Sequence, residues 1–521
     1  MSCLVLATLL AMVSNAWGSE RQRPNFVIIL ADDLGYGDVR CNNPERGRIP
    51  TPCIDRLASQ GMRFTDAHSS SAVCSPTRYT LLTGRYHWRT RLQSWIVWSF
   101  GKPLIAPDRL TIAGLLKQNG YRTACVGKWH LGWDWPVPDE GKKLFFAKPK
   151  KSVTAPSEEQ KALWREVFRQ PIAGGPTTRG FDLYFGTDVP NWPPYCFIEN
   201  DHTVGIPSDF LPGPLLTNNQ ASDQGPALPG WTLEPILPAL ADRACRFIEE
   251  SAQEKKPFFL YLPLTAPHTP LAVSDAWKNK SGLNTYADFV METDAVVGQV
   301  LAAVERSHAA HNTLFVFTSD NGCAPYIGVA ELERKGHFPS GPFRGYKGDV
   351  WEGGHRMPFM VRWPGVIPPG SRCDQLVQQS DLIATFAEIV GARLPDNSAE
   401  DSVSLRSLLD GAHRPVRTIG VSQSVEGLLA IRQGPWKLIF GRGSGGFSKG
   451  GVDTLPMQLY NLADDIGESK NLSAARPEII AELTRRMTEI VDHGRSTPGL
   501  PEQNDVPVDW KRFLRAPAQT R

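Results

Sequence analysis

The sequence predicts an α/β fold, with a large, mixed and mostly parallel sheet sandwiched by helices and a small C-terminal α+β lobe carrying an antiparallel sheet. Three features carry that reading. Short apolar runs rich in Val, Ile and Phe recur along the chain, as buried parallel strands require. Amphipathic stretches of helical period precede two of them. Beyond residue 412 the pattern changes to short strands around a Gly/Ser-rich turn.

Taken in order, MSCLVLATLLAMVSNAWG is apolar from Cys3 to Val13 and ends in small residues at Ala16 and Gly18. That is the pattern of a cleaved signal peptide over residues 1–18, so an exported mature protein is expected. No later segment is apolar for long enough to span a bilayer. NFVIIL (25–30), YRTACVG (121–127), PFFLYLPL (257–264) and TLFVFTSDNG (313–322) are the predicted strands. LEPILPALADRACRFIEESAQ and YADFVMETDAVVGQVLAAVERS are helices before the third and fourth of them. Two proline-rich stretches, about 134–180 and 186–232, show no clear period and are expected as long loops. Residues 19–411 then form one catalytic-sized unit. Residues 412–521 form the second, with GLLAIRQGPWKLIF and MQLYNLADD as antiparallel strands and a helix from about Pro477 to His493.

Bulk properties narrow the function. The 521 residues carry 56 Lys and Arg against 54 Asp and Glu, a formal charge of +2. Such balance offers no field for nucleic acid or an anionic membrane, so any anion preference must be local. Nine cysteines at 3, 41, 53, 74, 125, 196, 245, 323 and 373 make no CxxC pair, which favours disulfides or buried thiols over a zinc cluster.

The chemistry gathers at strand ends. In an open α/β sheet, ligands bind beyond the carboxyl ends of the strands, which would bring Asp32, Asp33, Lys128, His130, His268, Asp320 and Asn321 to one edge. Polar residues also end strands simply because turns need them, and DDLGYGD is a good turn sequence. Three carboxylates and an amide oxygen nonetheless form an all-oxygen set suited to calcium or magnesium. Arg78, Lys128, His130, His268 and Lys347 add the cationic donors that a tetrahedral anion, sulfate or phosphate, requires. Lys347 is placed by no strand end. In CSPTRYTLLTGR (74–85), Pro76 suits the first turn of a helix. Cys74 then lies at the helix N-terminus, where the macrodipole favours a negative nucleophile, and Arg78 falls on the same face one turn on.

CSPTRYTLLTGR resembles the signature of the formylglycine-dependent sulfatases, CxPxR followed by LLTGR. The likeness continues through NFVIILADDLGYGD, TPCIDRLASQGMRF, GYRTACVGKWHLG, APHTP, FTSDNG, KGDVWEGGHRMPFMVRWPG, RQGPWKLI and LYNLADD, in the family's order. The fourth signature position is Thr77, where serine or alanine is commoner. The resemblance implies an alkaline-phosphatase-like fold and a sulfuric ester hydrolase. It also implies that a formylglycine-generating enzyme oxidises Cys74 to formylglycine during maturation. One hydroxyl of the hydrated aldehyde would attack sulfur, and the second would let sulfate leave. Asp32, Asp33, Asp320, Asn321 and residue 74 would hold one calcium ion, with Asp320 as base. Arg78 would steady the hydrate and His130 assist elimination, while Lys128, His268 and Lys347 would neutralise sulfate and the leaving group. Either His268 or Lys347 is the proton donor. Asn191 is the candidate polar contact to sulfate.

Within the family, RGFDLYFGTDVPNWPPY is most similar to the N-acetylgalactosamine-6-sulfatase and arylsulfatase A branch. A sulfated sugar substrate is therefore expected, with Trp88, Trp95, Trp98, Trp192 and Tyr195 as aromatics able to stack on sugar rings or to pack internally. An arylsulfatase of broad specificity is the alternative within the family. A phosphate mono- or diester hydrolase of the same superfold would use Ser or Thr with two zinc ions and more histidines, which the strand ends do not provide.

Overall fold

The computed structural model describes residues 23–147, 155–216, 222–449 and 455–515. The expected signal peptide lies outside the described residues. Ten strands form the main sheet: β1 (Asn25–Ala31), β2 (Met62–Phe64), β3 (Arg122–Val126), β4 (Leu183–Gly186), β5 (Ile198–Glu199), β6 (His202–Thr203), β7 (Phe258–Pro263), β8 (Thr313–Ser319), β9 (Phe359–Arg362) and β10 (Ser371–Cys373). Their order is β10-β2-β9-β8-β1-β7-β3-β4-β5-β6. The five strands from β8 to β4 run parallel, and antiparallel pairs extend the sheet on both sides. The four apolar runs singled out in the sequence are four adjacent strands of this five-stranded parallel block, β8, β1, β7 and β3.

β1 sits between β7 and β8, with Ile28 opposite Tyr261 on one side and Val316 on the other. All seven of its residues are buried. Alternation sends Phe26, Ile28 and Leu30 to one core and Val27, Ile29 and Ala31 to the other. The first core is closed by the helices Cys74–Thr83, Ile112–Gln118 and Leu382–Val390, with Phe386 stacked on Phe26 at 4.2 Å. The second is closed by Pro52–Ser59, Ile236–Gln253 and Thr285–Arg306. Fully burying one such side chain stabilises by about 1.5–3 kcal/mol, which is why an unbroken apolar run was the strongest strand signal.

Both stretches expected as long loops are corrected. Residues 186–232 hold β5, β6 and a separate antiparallel pair, Asp209–Leu211 with Gly225–Ala227, each too short for a period to show. The stretch 134–180 holds a helix, Glu158–Val167, that buries Gln160, Trp164 and Val167, with the Ser157 side chain accepting from the Gln160 amide. Ten residues between proline-rich flanks gave too short a window for the period to show.

The C-terminal lobe is a four-stranded antiparallel sheet, β11 (Ile419–Gln423), β12 (Leu429–Gln433), β13 (Trp436–Ile439) and β14 (Gln458–Asn461). Helix Pro477–Asp492 lays Leu483, Met487, Ile490 and Val491 on one face, together with Tyr86 and Trp88 from the main unit. The other face packs Ala430, Ile439 and Tyr460 against Val350 and Trp351. The eight cysteines within the described residues are all free thiols, five of them buried.

Candidate active site

Four central strands deliver their C-terminal loops to one place. β1 runs into Asp32 and Asp33, where Asp33 takes a left-handed backbone (φ 63°) and its amide donates to Asp320 Oδ1 at 3.1 Å. The following turn needs its glycines for close approach. A Cβ on Gly35 would stand 2.3 Å from the Pro339 carbonyl oxygen, and one on Gly37 2.2 Å from that of Phe338. Asp38 locks the turn, accepting from the Gly35 amide at 2.7 Å, from the Tyr286 hydroxyl at 2.6 Å and from His337 Nε2 at 2.8 Å. β8 ends at Ser319 and presents Asp320 and Asn321; β3 leads to Lys128 and His130; β7 leads to His268.

Cys74 is the first residue of the helix Cys74–Thr83, which stops at Gly84 in the left-handed region (φ 66°). Its Sγ lies 3.6 Å from Asp32 Oδ1. Lys128 Nζ donates to Asp32 Oδ2 at 2.7 Å. Arg78 donates twice to Asp320 Oδ2, from Nη2 at 2.8 Å and from Nε at 3.2 Å, and its Nη1 holds the Lys128 carbonyl at 2.9 Å. Lys347 Nζ donates to Asp33 Oδ2 at 2.6 Å, and His268 Nε2 stands 3.5 Å from the same oxygen. Asn321 Nδ2 donates to Asp33 Oδ1 at 2.7 Å, while its Oδ1 is buried without a hydrogen-bond partner among the described residues. Asp32, Asp33, Cys74 and His268 bring one ligand atom each within 4.8 Å of one another. Every residue singled out by the strand-end argument is thus buried in one cluster, joined by Arg78 and Lys347.

The electrostatics are those of crowded charge. Burial opposes ionisation of Asp32, but Lys128, His268, Arg78 and Lys347 together hold its carboxyl well below the usual range. Burial and the neighbouring Asp32 charge push Asp320 up to about 7 despite Arg78 and Lys128. Burial pulls His268 down to about 4, helped by Lys347. Burial, Lys128 and Arg78 likewise hold His130 well below its ordinary value. His130 Nε2 pairs with the Val97 carbonyl at 3.0 Å, which fixes the tautomer protonated there and leaves a lone pair on Nδ1. Cys74 departs from the sequence-based expectation. Burial raises its thiol to about 12 in spite of Lys128 and Lys347. A helix terminus contributes only about 0.3–1 kcal/mol, less than one pKa unit, so desolvation wins and the thiolate is disfavoured.

The aromatic candidates divide. Trp88 is 1% exposed and stacks on Tyr86 at 5.4 Å, and Tyr195 is equally buried; both are packing residues. Trp192 meets the His130 ring edge-on at 5.7 Å, and Trp98 stacks on Trp192 at 5.3 Å. Asn191 is buried in the same loop, its carbonyl accepting from the Tyr195 hydroxyl at 2.8 Å. Two contributors were missed. Asp188 accepts from the His130 amide through its carbonyl oxygen at 3.1 Å and through Oδ1 at 3.2 Å; the strand-end rule applied to β4 would have found it. Ser75 Oγ accepts the Val97 amide at 3.1 Å, a contact with no sequence signal.

Comparison with known proteins places this architecture. Residues 24–392 match the family model described as Sulfatase. The chain is 31% identical to an N-acetylgalactosamine-6-O-sulfatase of Bacteroides thetaiotaomicron, over 91% of this chain and 94% of that protein. It is also 31% identical to human arylsulfatase A, over 88% of this chain and 86% of that one. Among solved structures, one from work on glycosaminoglycan metabolism by Bacteroides thetaiotaomicron superposes with a TM-score of 0.74 at 29% identity, covering 90% of this chain and 99% of that chain. Ps i-CgsB in complex with k-i-k-neocarrahexaose superposes with a TM-score of 0.66 at 27% identity, covering 92% and 95%. A buried carboxylate and cation cluster at the strand ends of this sheet, and family agreement over most of the chain, lead to one conclusion: the chain belongs to the sulfatase family and is a hydrolase of sulfate esters.

Proposed function

We propose that this sulfatase is an exported enzyme that removes sulfate from a sulfated glycan, N-acetylgalactosamine 6-sulfate or a close relative, using formylglycine at position 74 and calcium. The substrate class is supported by the likeness to the N-acetylgalactosamine-6-O-sulfatase over nearly the whole length of both chains. The observation that carries the mechanism is the place of Cys74. It is buried at the first position of its helix, its Sγ 3.6 Å from Asp32 Oδ1 and within 4.8 Å of ligand atoms of Asp33 and His268. Oxidation of that residue by a formylglycine-generating enzyme would put an aldehyde where the carboxylates and cations converge. Formylglycine supplies a hydrated aldehyde, one hydroxyl of which attacks sulfur while the other permits release of sulfate.

The donor set fits calcium. Asp32, Asp33, Asp320 and Asn321 offer hard oxygens only, and Asn321 Oδ1 is a buried acceptor with no hydrogen-bond partner among the described residues. Calcium supplies Lewis-acid polarisation and offsets the mutual repulsion of the carboxylates. The chain's own residues do the rest. Arg78 fixes Asp320 through two donors, and this carboxylate is the base assigned to the residue at 74. His130, with Nε2 committed to Val97, holds Nδ1 as a second proton acceptor. Lys128, Lys347 and His268 ring the same pocket with donors for sulfate oxygens and for the leaving alcohol.

Release of sulfate from N-acetylgalactosamine 6-sulfate by protein made in its own host, before and after chelation, tests this reading. Activity that is lost to chelator and restored by calcium is expected. Hydrolysis of phosphate esters in preference to sulfate, or indifference to chelation, would contradict it.

A further inference from the structure

Asp349 is a buried carboxylate to which the proposed mechanism gives no task. It stands two residues after Lys347, at the end of the turn that carries that lysine to Asp33 Oδ2. Its oxygens are taken from two sides. Oδ2 accepts from the Tyr346 amide at 2.9 Å and from the Ser448 hydroxyl, and Oδ1 accepts from the Ser448 amide at 3.0 Å. These partners are neutral, and burial pushes the carboxyl up in spite of them. A buried charge met only halfway by neutral donors costs stability relative to an apolar side chain, so what Asp349 contributes is the geometry those bonds impose.

Ser448 belongs to the C-terminal lobe, in the Gly/Ser-rich loop that leaves β13. The lobe closes over the Lys347 turn at further points. The Val350 amide donates to the Ser444 carbonyl and the Val425 amide to the Gly348 carbonyl, each at 2.9 Å. A Cβ on Gly348 would stand 2.7 Å from a Phe447 ring carbon, and one on Gly446 2.2 Å from the Gly348 carbonyl oxygen. Ser444 Oγ accepts from the Gly446 amide at 3.1 Å and donates to the Ser448 carbonyl at 3.2 Å, which keeps the loop itself in shape. From the main unit, the Cys323 carbonyl holds the Lys347 amide at 3.0 Å and the Ala72 carbonyl holds the Gly348 amide at 2.8 Å. Cys323 lies two residues from Asn321 and Ala72 two residues from Cys74. The backbone of Lys347 is thus seated on the segments that build the site and pressed down by the lobe.

We propose that Asp349 and Ser448 are positioning residues for Lys347: the lobe loop, held by the Asp349 carboxylate, sets the Lys347 amine against Asp33. The C-terminal lobe is thereby part of the catalytic apparatus. The inference rests on the role given above to Lys347, as a donor to sulfate oxygens or to the leaving alcohol. A lysine reaches its partner through a flexible four-carbon stem, so the place of its backbone decides whether the amine falls within bonding distance. Misplacing such a group by about 1 Å costs on the order of 10²-fold in rate.

Kinetic double-mutant cycles test this. Asp349→Asn keeps the shape but turns an NH2 group toward a donor, and Ser448→Ala removes only the hydroxyl. Each is made alone and together with Lys347→Ala, and kcat and KM are measured for sulfate release from N-acetylgalactosamine 6-sulfate. With Lys347 present, Asp349→Asn is expected to lower kcat/KM by about 10- to 100-fold and Ser448→Ala by about 3- to 10-fold. In the Lys347→Ala background either change should add less than about twofold, because the group they position is gone. Ser448→Thr, which keeps the hydroxyl, should recover most of the loss. Equal losses in both backgrounds would overturn the inference, since a merely structural role does not depend on Lys347. Wild-type kinetics for Ser448→Ala would overturn it as well, and that variant decides the matter should Asp349→Asn fail to fold. The underlying readings fail differently. Lys347→Ala with wild-type kinetics removes the role of that lysine, and the inference with it. Wild-type protein that releases no sulfate from the sugar removes only the substrate, and the same cycles are then run with 4-nitrophenyl sulfate.

Discussion

Two buried clusters in this molecule have nearly the same composition. At the strand ends Asp32, Asp33 and Asp320 face Arg78, Lys128 and Lys347, with two histidines. Between the main unit and the C-terminal lobe, Asp66, Glu352 and Glu468 face Arg356, Arg432 and Lys437, again with two histidines, His68 and His355. Both contain groups close enough to hold a metal. They differ in what is left over. His68 spends Nε2 on Asp66 at 2.8 Å and Nδ1 on His355 Nδ1 at 3.0 Å, and His355 Nε2 reaches the Val350 carbonyl at 3.0 Å. The space there is about 10 Å³, too small to admit a ligand. At the strand ends His130 Nδ1 and Asn321 Oδ1 have no hydrogen-bond partner among the described residues, and an aromatic cavity of about 480 Å³ is lined by Trp192, whose ring meets that of His130. Charge content alone therefore does not separate the two clusters; the uncommitted acceptors at the strand ends are what favour the first as the proposed active site.

The sharpest way to break this comparison is to change one residue in each cluster. Cys74→Ser is expected to lower sulfate release by more than about 10³-fold, because a buried serine lacks the second hydroxyl of a hydrated aldehyde, with the melting temperature nearly unchanged. Lys437→Ala should do the reverse. It leaves Glu352 and Glu468 buried without their shared amine, at a cost of about 3–5 kcal/mol in denaturant unfolding, while kcat of the folded enzyme stays close to wild type.

A pH scan sharpens the contrast at the same boundary. His87 is buried against the lobe, its Nε2 2.6 Å from Gln423 Oε1, and burial holds its imidazole down at about 4. In the unfolded chain a histidine titrates near 6.5. Between those values the unfolded state binds the proton and the folded state does not, so stability rises with pH. The contribution is full above about 6.5 and falls by roughly 3 kcal/mol as pH drops toward 4. Thermal melts at pH 7 and pH 5 should show the loss, and His87→Gln should flatten it. The smallest expected effect is at Thr77, whose hydroxyl donates to the Ser71 carbonyl at 3.0 Å. Thr77→Ser preserves that bond and should leave stability within about 0.5 kcal/mol, and the fraction of chains oxidised at residue 74 undiminished.

Much of the site was legible because it lies where chain pattern and topology coincide. Asp32, Lys128, His268 and Asp320 follow apolar runs long enough to be read as strands, and a parallel sheet puts such ends together. Lys347 follows no strand. It is carried by a turn between Gly345 and Gly348, both at positive φ, and reaches Asp33 from 314 residues away. The flanking strands β2, β5, β6 and β10 are two or three residues long, too short for any period. Trp88 and Trp98 stand ten positions apart in similar surroundings, yet one is in the core of the C-terminal lobe and the other faces solvent. Only the docking of that lobe decides which is which, and local sequence does not encode it.

The central claim is that position 74 works as an aldehyde and not as a thiol. The most direct measurement is the mass of the tryptic peptide FTDAHSSSAVCSPTR, residues 64–78, from protein made in its own host. A peptide lighter by the exchange of H2S for one oxygen is predicted, in proportion to the sulfatase activity of the preparation. An unmodified thiol throughout a fully active preparation would contradict the account.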